Sequence, residues 1–392
     1  VSERRPDPVH VVFSGGGTGG HLYPALALAE ALSAHRPDVV PFFVGATRGL
    51  EARVLPERGL PHLLLGVEGF GRGGSPGWRR LADGLRVVGV LLKALAELAG
   101  RFRALRPSAV VVTGGYAGGP AGVMAVLLRV PLVLQEQNSV PGLTTRFLSL
   151  GARQIHLAFP EASHRLPRPA RRRGRVSGNP VRPPSPVDRV SAAADFGLDP
   201  ERPVVLVVGG SQGSRALNEA VQGLVTTVMS QGLPGEAQLL WATGPAHLSG
   251  IQEAMGRAGD PAWVRVTGYI EAMPRALSLA QVAVSRAGAM GTSEFLAWGI
   301  PAILVPLPTA AADHQAENAR ALAEAGAALL LPEGELTPRS LLDHLRTLLV
   351  DTDLRVTMAN AARHRGHPES AAAIATQVAA LLPPRWPEEV AP

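Results

Sequence analysis

The sequence contains no cysteine, a single lysine (Lys93) and few aromatic residues. Without cysteine there is no disulfide framework, no thiolate zinc site and no thiol nucleophile. At 4% aromatic, the chain lacks the interleaved aromatic and basic residues of a nucleic-acid surface, and no nucleic-acid-binding motif is present. No apolar run reaches the roughly 18 residues needed to cross a bilayer; the nearest candidate, Gly118–Leu128, stops at Arg129. Behind Arg4 and Arg5 there is no apolar signal core, so the expectation is a soluble, unexported protein.

The 392 residues are 46% hydrophobic and 18% charged, too apolar and too weakly charged for a disordered chain. At roughly 100–200 residues per domain, that length predicts two domains, each with its own core. The formal charge of +6 is unevenly shared: residues 1–181 carry a net +12 and residues 182–392 a net −6. A genomic bias toward arginine loads both halves alike, so the asymmetry points to an anionic partner for the first half, either nucleic acid or phospholipid head groups.

Short apolar runs alternate with helical stretches through both halves, the pattern of a parallel sheet covered on both faces. In the first half, strands fit His10–Ser14, Val39–Val44, Leu63–Val67, Val110–Thr113, Leu132–Gln135 and Gln154–Leu157, with a helix from about Pro24 to His35. Residues 160–189 hold seven prolines and the run Arg171-Arg172-Arg173-Gly174-Arg175, which reads as a connection and hinge. The design restarts at Val204–Val208, and further strands fit Gln238–Trp241, Val264–Thr267, Val282–Ser285, Ala302–Val305 and Ala328–Leu331. Two strand–glycine-turn–helix openings, one per half, predict two Rossmann-like domains. From Thr352 the chain is helical, breaks near Gly366-His367-Pro368, and resumes as a helix able to pack back on the first domain.

Gly15-Gly16-Gly17-Thr18-Gly19-Gly20-His21 contains a formal dinucleotide fingerprint. Nicotinamide binding also needs an acidic residue ending the second strand, and Phe43-Val44-Gly45-Ala46-Thr47 offers none. A second cluster, Gly114-Gly115-Tyr116-Ala117-Gly118-Gly119-Pro120, follows another strand on the same sheet edge. Two anion cradles on one edge suit a pyrophosphate ligand; close helix–strand packing is the alternative. In the second half, Ser211 sits in a glycine turn, and Arg286–Glu294 joins a turn to a helix start. Glu294 there reads equally as a ribose-diol acceptor or a helix cap. Asp351-Thr352-Asp353 matches a metal-binding D-x-D, but it opens a helix and reads as a cap, so no metal site is expected. The stretch Leu81–Leu98, with Phe70, Trp78, Arg79, Arg80, Arg86 and Lys93 nearby, reads as a core helix or as a face that docks on anionic lipid.

These motifs, together with Glu136-Gln137-Asn138, Gly178-Asn179-Pro180-Val181-Arg182, Gly209–Gly213 and the helix carrying Gln315 and Asn318, run in order from about Val9 to Leu382. Together they resemble the MurG family of bacterial glycosyltransferases. The resemblance implies a GT-B fold, an α/β architecture of two Rossmann-like domains facing across a cleft. Residues 7–181 would form the acceptor- and membrane-facing domain, residues 182–365 the UDP-GlcNAc domain, and a helix at about 368–382 would return to the first. The implied reaction is inverting transfer of GlcNAc from UDP-GlcNAc to the C4 hydroxyl of MurNAc in undecaprenyl-linked lipid I, giving lipid II for the cell wall. It would proceed at the cytoplasmic face of the membrane, on an anionic surface held peripherally, with no cofactor.

By match, Ser211 and Arg182 contact the nucleotide, Ile270 the uracil, and the turn Ala289, Met290, Gly291, Thr292 and Ser293 the diphosphate. Glu294 takes the ribose and Gln315 the donor sugar, while Thr18, Gly19, Gly20 and Asn138 reach the donor from the first domain. Gly16, Gly17, Gly115, Tyr116 and Gly119 would cradle the acceptor pyrophosphate. His21 is the candidate general base, because imidazole titrates near neutrality; substrate orientation is its other reading. Gln135 and Gly118 depart from the family pattern, in which His and Ser are common at these two places.

Overall fold

The computed structural model of the protein describes residues 8–67, 77–310 and 313–384. Arg4, Arg5, Phe70 and the tail from 385 lie outside the described residues, as do the side chains of 77–88, with Trp78, Arg79, Arg80 and Arg86 among them. The chain divides into two compact units, residues 1–181 with 369–392, and residues 182–368.

The first unit runs β1 (Val9–Gly15), α1 (Gly19–His35), β2 (Val39–Ala46), α2 (Glu51–Glu57), β3 (His62–Leu65), α3 (Gly77–Leu105), β4 (Ala109–Gly114), α4 (Gly115–Leu127), β5 (Leu132–Glu136), α5 (Leu143–Leu148), β6 (Gln154–Leu157), α6 (Glu161–Arg165) and β7 (Gly174–Val176). All seven strands pair in parallel, in the order β3-β2-β1-β4-β5-β6-β7. Their near-continuous valine and leucine content follows from burial on both faces. One face packs on Leu22, Leu28 and Leu32 of α1, and the other on Leu98 and Phe102 of α3 with Ala121 and Met124 of α4. The order reverses between β1 and β4, and at such a switch point the strand ends leave an open crevice.

The second unit runs α7 (Arg189–Phe196), β8 (Val204–Val208), α8 (Arg215–Thr227), β9 (Gln238–Ala242), α9 (Leu248–Arg257), β10 (Val264–Thr267), α10 (Met273–Leu279), β11 (Ala280–Ser285), α11 (Ala289–Trp298), β12 (Ala302–Leu304), α12 (His314–Glu324), β13 (Ala328–Leu330), α13 (Pro338–Val350) and α14 (Thr352–Arg365). Its six parallel strands lie in the order β10-β9-β8-β11-β12-β13, with the reversal between β8 and β11. Leu217, Val221 and Leu224 of α8 meet Leu341, Leu345 and Leu348 of α13 over this sheet. The last helix, α15 (Ser370–Ala379), belongs to the first unit and lies against α1, burying Ile374, Ala375 and Val378. It is also tied by polar contacts: Gln154 Nε2 donates to the Gln377 carbonyl at 2.9 Å, and Arg175 Nη1 to Gln377 Oε1 at 2.8 Å.

Three local expectations change. The first helix begins at Gly19 rather than near Pro24, so Thr18 is its N-cap and His21 lies in its first turn. The second glycine cluster is likewise helical from Gly115. Residues 161–176 are not linker. They form α6, a 3-10 turn over Arg168–Arg173, and β7. The arginine run serves as an internal clamp: Arg171 donates to the His164 and Leu166 carbonyls, and Arg173 to the Ala152 carbonyl. Composition marked the segment as irregular, but guanidinium groups that saturate chain carbonyls make it part of the first unit.

Candidate functional site

At the switch point of the second sheet lies a cavity of about 660 Å3. Its wall includes Gly209, Gly210, Gly213 and Ser214 after β8, Arg286, Gly288 and Gly291 after β11, and Glu294, Leu307 and Gln315. Gly213 has no substitute, since its φ is +76° and a Cβ would enter the Thr243 carbonyl. The N-termini of α8 and α11 both open into this cavity, bringing first-turn backbone amides and two helix dipoles to one place. Such an arrangement attracts a diphosphate.

Glu294 stands one turn inside α11. It is half-buried on the cavity wall, and burial pushes its carboxyl up to about 7, opposed by the Arg182 guanidinium. Gln315 Oε1 accepts from the Leu307 amide at 3.0 Å, which fixes the carboxamide and leaves its NH2 as the donor. Arg286 is held back from ligand duty: it pairs with Glu333 at 2.5 Å and donates to the Val305 and Pro306 carbonyls. Thr292 is buried, its hydroxyl 3.0 and 3.1 Å from the Gly288 and Ala289 carbonyls, so it braces the turn. Ser211 is exposed at the tip of its turn, outside the cavity wall, where Ser214 stands as the cap of α8. Ile270 is buried in the loop after β10. Asn318 is fully buried and donates to the Ala287 carbonyl, supporting the β11–α11 turn from below.

In the first unit, the turns after β1 and β4 lie side by side. Gly115, at φ +72°, packs so closely that a Cβ would enter the Gly16 carbonyl, and a Cβ on Gly17 would meet the Tyr116 ring at 2.6 Å. Gly118 sits 2.7 Å, by the same measure, from Val112, which is the close helix–strand packing weighed above; at Gly119 a Cβ meets nothing within 4 Å. The crowded positions are glycine because two backbones and two rings share the space.

Two buried arrangements in this unit were not anticipated from the sequence, the first around a residue outside every motif and the second among residues of several motifs. Glu51, fully buried at the start of α2, receives the Gly17 amide at 3.0 Å from both oxygens and the Ala46 amide at 2.9 Å. A Cβ on Gly16, Gly45 or Gly49 would collide with that carboxylate, so three glycines make room for one acid. The Gly17 amide is therefore already bonded to an anion. This corrects the reading of Gly17 as a phosphate donor, because a buried carboxylate cannot share that amide with a second negative charge. The second feature is a carboxamide network. Gln137 Nε2 donates to the Thr113 carbonyl (2.7 Å), the Gln135 carbonyl (3.0 Å) and Gln135 Oε1 (2.5 Å); Gln135 Nε2 donates to Asn179 Oδ1 (2.9 Å), and Asn179 Nδ2 to the Gln137 carbonyl (3.1 Å). His21 joins through Nδ1, 3.0 Å from the Thr113 carbonyl and 2.9 Å from Gln137 Oε1. A glutamate sandwiched among loop glycines was the available signal for Glu51; the network's residues stand in the quoted motifs, but nothing in the sequence pairs them with one another.

Glu136 accepts from the Asn138 and Gly142 amides and from the Asn138 carboxamide, so Asn138 is set by its neighbour. Asp351 accepts from the Leu354 amide at 2.9 Å and caps α14. Among the described residues there is no cluster of three or more His, Asp or Glu able to hold a metal ion. None of the described helices is long and apolar enough to cross a membrane. On the first unit, the ends of α4 and α5 expose Leu127 (64%), Leu143 (80%), Phe147 (68%) and Leu150, with exposed Arg129, Arg146 and Arg153 beside them in the chain.

Comparison with known proteins places these features in a family. Residues 11–157 match the glycosyltransferase family 28 N-terminal domain, and residues 204–376 the family 28 C-terminal domain. The UDP-N-acetylglucosamine–N-acetylmuramyl-(pentapeptide) pyrophosphoryl-undecaprenol N-acetylglucosamine transferase of Prosthecochloris aestuarii is 40% identical over 382 residues, covering 95% of this chain and 99% of that protein. The protein of the same name from Alkalilimnicola ehrlichii is 42% identical over 366 residues, covering 93% and 97%. Among solved structures, MurG of Acinetobacter baumannii aligns with a TM-score of 0.75 at 29% identity, over 95% of this chain and 100% of that one. The calicheamicin glycosyltransferase CalG4, at 16% identity and a TM-score of 0.66, covering 95% and 98%, shares the fold.

Proposed function

The chain belongs to glycosyltransferase family 28, among the pyrophosphoryl-undecaprenol N-acetylglucosamine transferases, and from that premise we propose that each unit serves one substrate. It has the GT-B architecture and transfers GlcNAc from UDP-GlcNAc to undecaprenyl-linked lipid I, making lipid II for peptidoglycan. The donor binds the second unit. Its diphosphate lies on the first-turn amides of α11, from Ala289 to Ser293, and faces the N-terminus of α8. The ribose diol donates to Glu294, the uracil meets the Ile270 backbone, and the Gln315 NH2 donates to the sugar. Arg182 and Ser211 complete the nucleotide contacts. The observation that carries this reading is the convergence of two helix N-termini with Glu294 and Gln315 in one cavity.

The acceptor binds the first unit. With the Gly17 amide bonded to Glu51, the acceptor pyrophosphate lies at the positive N-terminal end of α4, beside Gly115 and Tyr116. His21 removes the proton from the C4 hydroxyl of MurNAc as that oxygen attacks the anomeric carbon from the side opposite UDP, which inverts the configuration. The amides and helix dipoles that hold the diphosphate stabilise the charge that develops on departing UDP. Leu127, Leu143 and Phe147 insert into the head-group region of an anionic membrane, on its cytoplasmic face, with Arg129, Arg146 and Arg153 on the phosphates.

UDP release from UDP-GlcNAc, followed with and without lipid I, tests the assignment. Release is expected only with lipid I, reduced in Glu294→Ala through weaker donor affinity and in His21→Ala through slower turnover. Unchanged UDP-GlcNAc affinity in Glu294→Ala would remove the ribose assignment.

A further inference from the structure

We propose that Gln137 is a positioning residue that, with the Thr113 carbonyl, confines the His21 proton to Nδ1 and leaves Nε2 as the proton-accepting atom. The argument is one of donors and acceptors. Gln137 Nε2 lies within hydrogen-bond distance of three oxygens, those of the Thr113 carbonyl, the Gln135 carbonyl and the Gln135 carboxamide. Turning the amide over would set an oxygen against all three, so its orientation is determined. The group it then presents to His21 Nδ1 is an oxygen, at 2.9 Å. The other partner of Nδ1, the Thr113 carbonyl at 3.0 Å, is also only an acceptor. A nitrogen between two acceptors must carry the hydrogen. Neutral His21 therefore keeps its lone pair on Nε2, to which no described residue bonds.

The network is closed behind Gln137. Gln135 Oε1 accepts from it, Gln135 Nε2 donates to Asn179, and Asn179 returns a bond to the Gln137 carbonyl. Gln135, Gln137, Thr113 and Asn179 are all buried, so no water competes for the arrangement. Its parts are neutral amides, which hold the tautomer without adding charge to the ring.

This proposal rests on the reading of His21 as the base. In that step the hydroxyl proton passes to Nε2, the hydroxyl oxygen bonds the anomeric carbon, and the bond from that carbon to the β-phosphate oxygen breaks, its electron pair leaving on UDP. An imidazole with its proton on Nε2 has no lone pair there to receive it.

Nitrogen-15 spectra of the histidine rings in the full-length protein, with the His21 signals identified by their loss in His21→Asn, test the tautomer directly. The expected result in the wild type is a protonated Nδ1 and an unprotonated Nε2, the reverse of the tautomer that a free histidine side chain favours. In Gln137→Met the Nε2–H form is expected to appear, with kcat down about tenfold to a hundredfold, a fraction of what a general base contributes, and UDP-GlcNAc affinity unchanged. A protonated Nε2 in the wild type, or an imidazole spectrum unaltered by Gln137→Met, overturns the proposal. Near-normal turnover in His21→Ala overturns the base assignment instead, whatever the spectra show.

Discussion

Replacing Glu51 by alanine removes the carboxylate that holds the turn after β1, and the structure sets the size of the effect. Two amides lose their acceptor: Gly17, at 3.0 Å, and Ala46, at 2.9 Å. Gly17 is half-exposed and regains water, whereas Ala46 is fully buried, so its amide is left without a partner at a cost of about 1–3 kcal/mol. Hydrogen bonds to a charged group contribute about 1.5–3 kcal/mol each, and the removed side chain leaves a void among Gly16, Gly45 and Gly49. Relief from burying an anion offsets part of this. The expected net loss is about 3 kcal/mol, and in Glu51→Gln about half that, since the amide keeps one acceptor oxygen but turns its NH2 toward a backbone N–H. Urea unfolding gives the stability change, and hydrogen exchange read by mass spectrometry over residues 15–22 and 43–50 locates it. Donor affinity, a property of the other unit, should stay at the wild-type value. A midpoint and exchange rates in Glu51→Ala that match the wild type would show that the carboxylate does not organise the turn.

Other consequences follow from the pKa shifts and surfaces. Glu294, raised to about 7 from 4.5 by burial, binds more protons folded than unfolded between those values, so it lowers stability as pH rises through that window. A diol donating to the carboxylate favours the anion, so UDP-GlcNAc should bind more weakly by up to tenfold per pH unit below about 7; calorimetry that finds the same slope in Glu294→Gln would refute this. His156, buried and lowered to about 4 from 6.5, chiefly by burial and then by Arg175, acts with the opposite sign. Its contribution is complete above pH 6.5 and is lost toward pH 4, on the order of 3 kcal/mol, and His156→Gln should flatten that part of the stability curve. Because Gln154 Oε1 bonds His156 while its Nε2 holds α15, exchange in residues 370–379 should rise over the same range. Phe147→Ser with Leu143→Ser should reduce sedimentation with vesicles containing phosphatidylglycerol several-fold and leave UDP-GlcNAc affinity unchanged; equal sedimentation would place the membrane contact elsewhere.

Much of the architecture was legible because it is local. Runs such as Val204–Val208 and Val110–Thr113 are strands on composition alone, and glycine turns followed by helices announced both crossovers. Helix starts were less legible: Gly19, Gly20 and Gly115 are poor helix formers, yet they begin α1 and α4, and at Gly115 a larger residue would run into the Gly16 carbonyl of the neighbouring turn. The proline- and arginine-rich 161–176 misled for a related reason, since its guanidinium groups find carbonyls that only the folded unit presents.

The sequence by itself determined the two parallel α/β units, the family, and the order of chemistry-bearing motifs along the chain, because periodicity and motif spacing are properties of neighbours in the chain. Tertiary structure alone decided which atoms those motifs have left to offer. Glu51 reaches Gly17 from 34 positions away, and Gln137 reaches His21 from 116. A hydrogen bond consumes a donor wherever in the chain its acceptor originates, so the occupied amide, the fixed tautomer and the raised carboxyl exist only once the chain has folded.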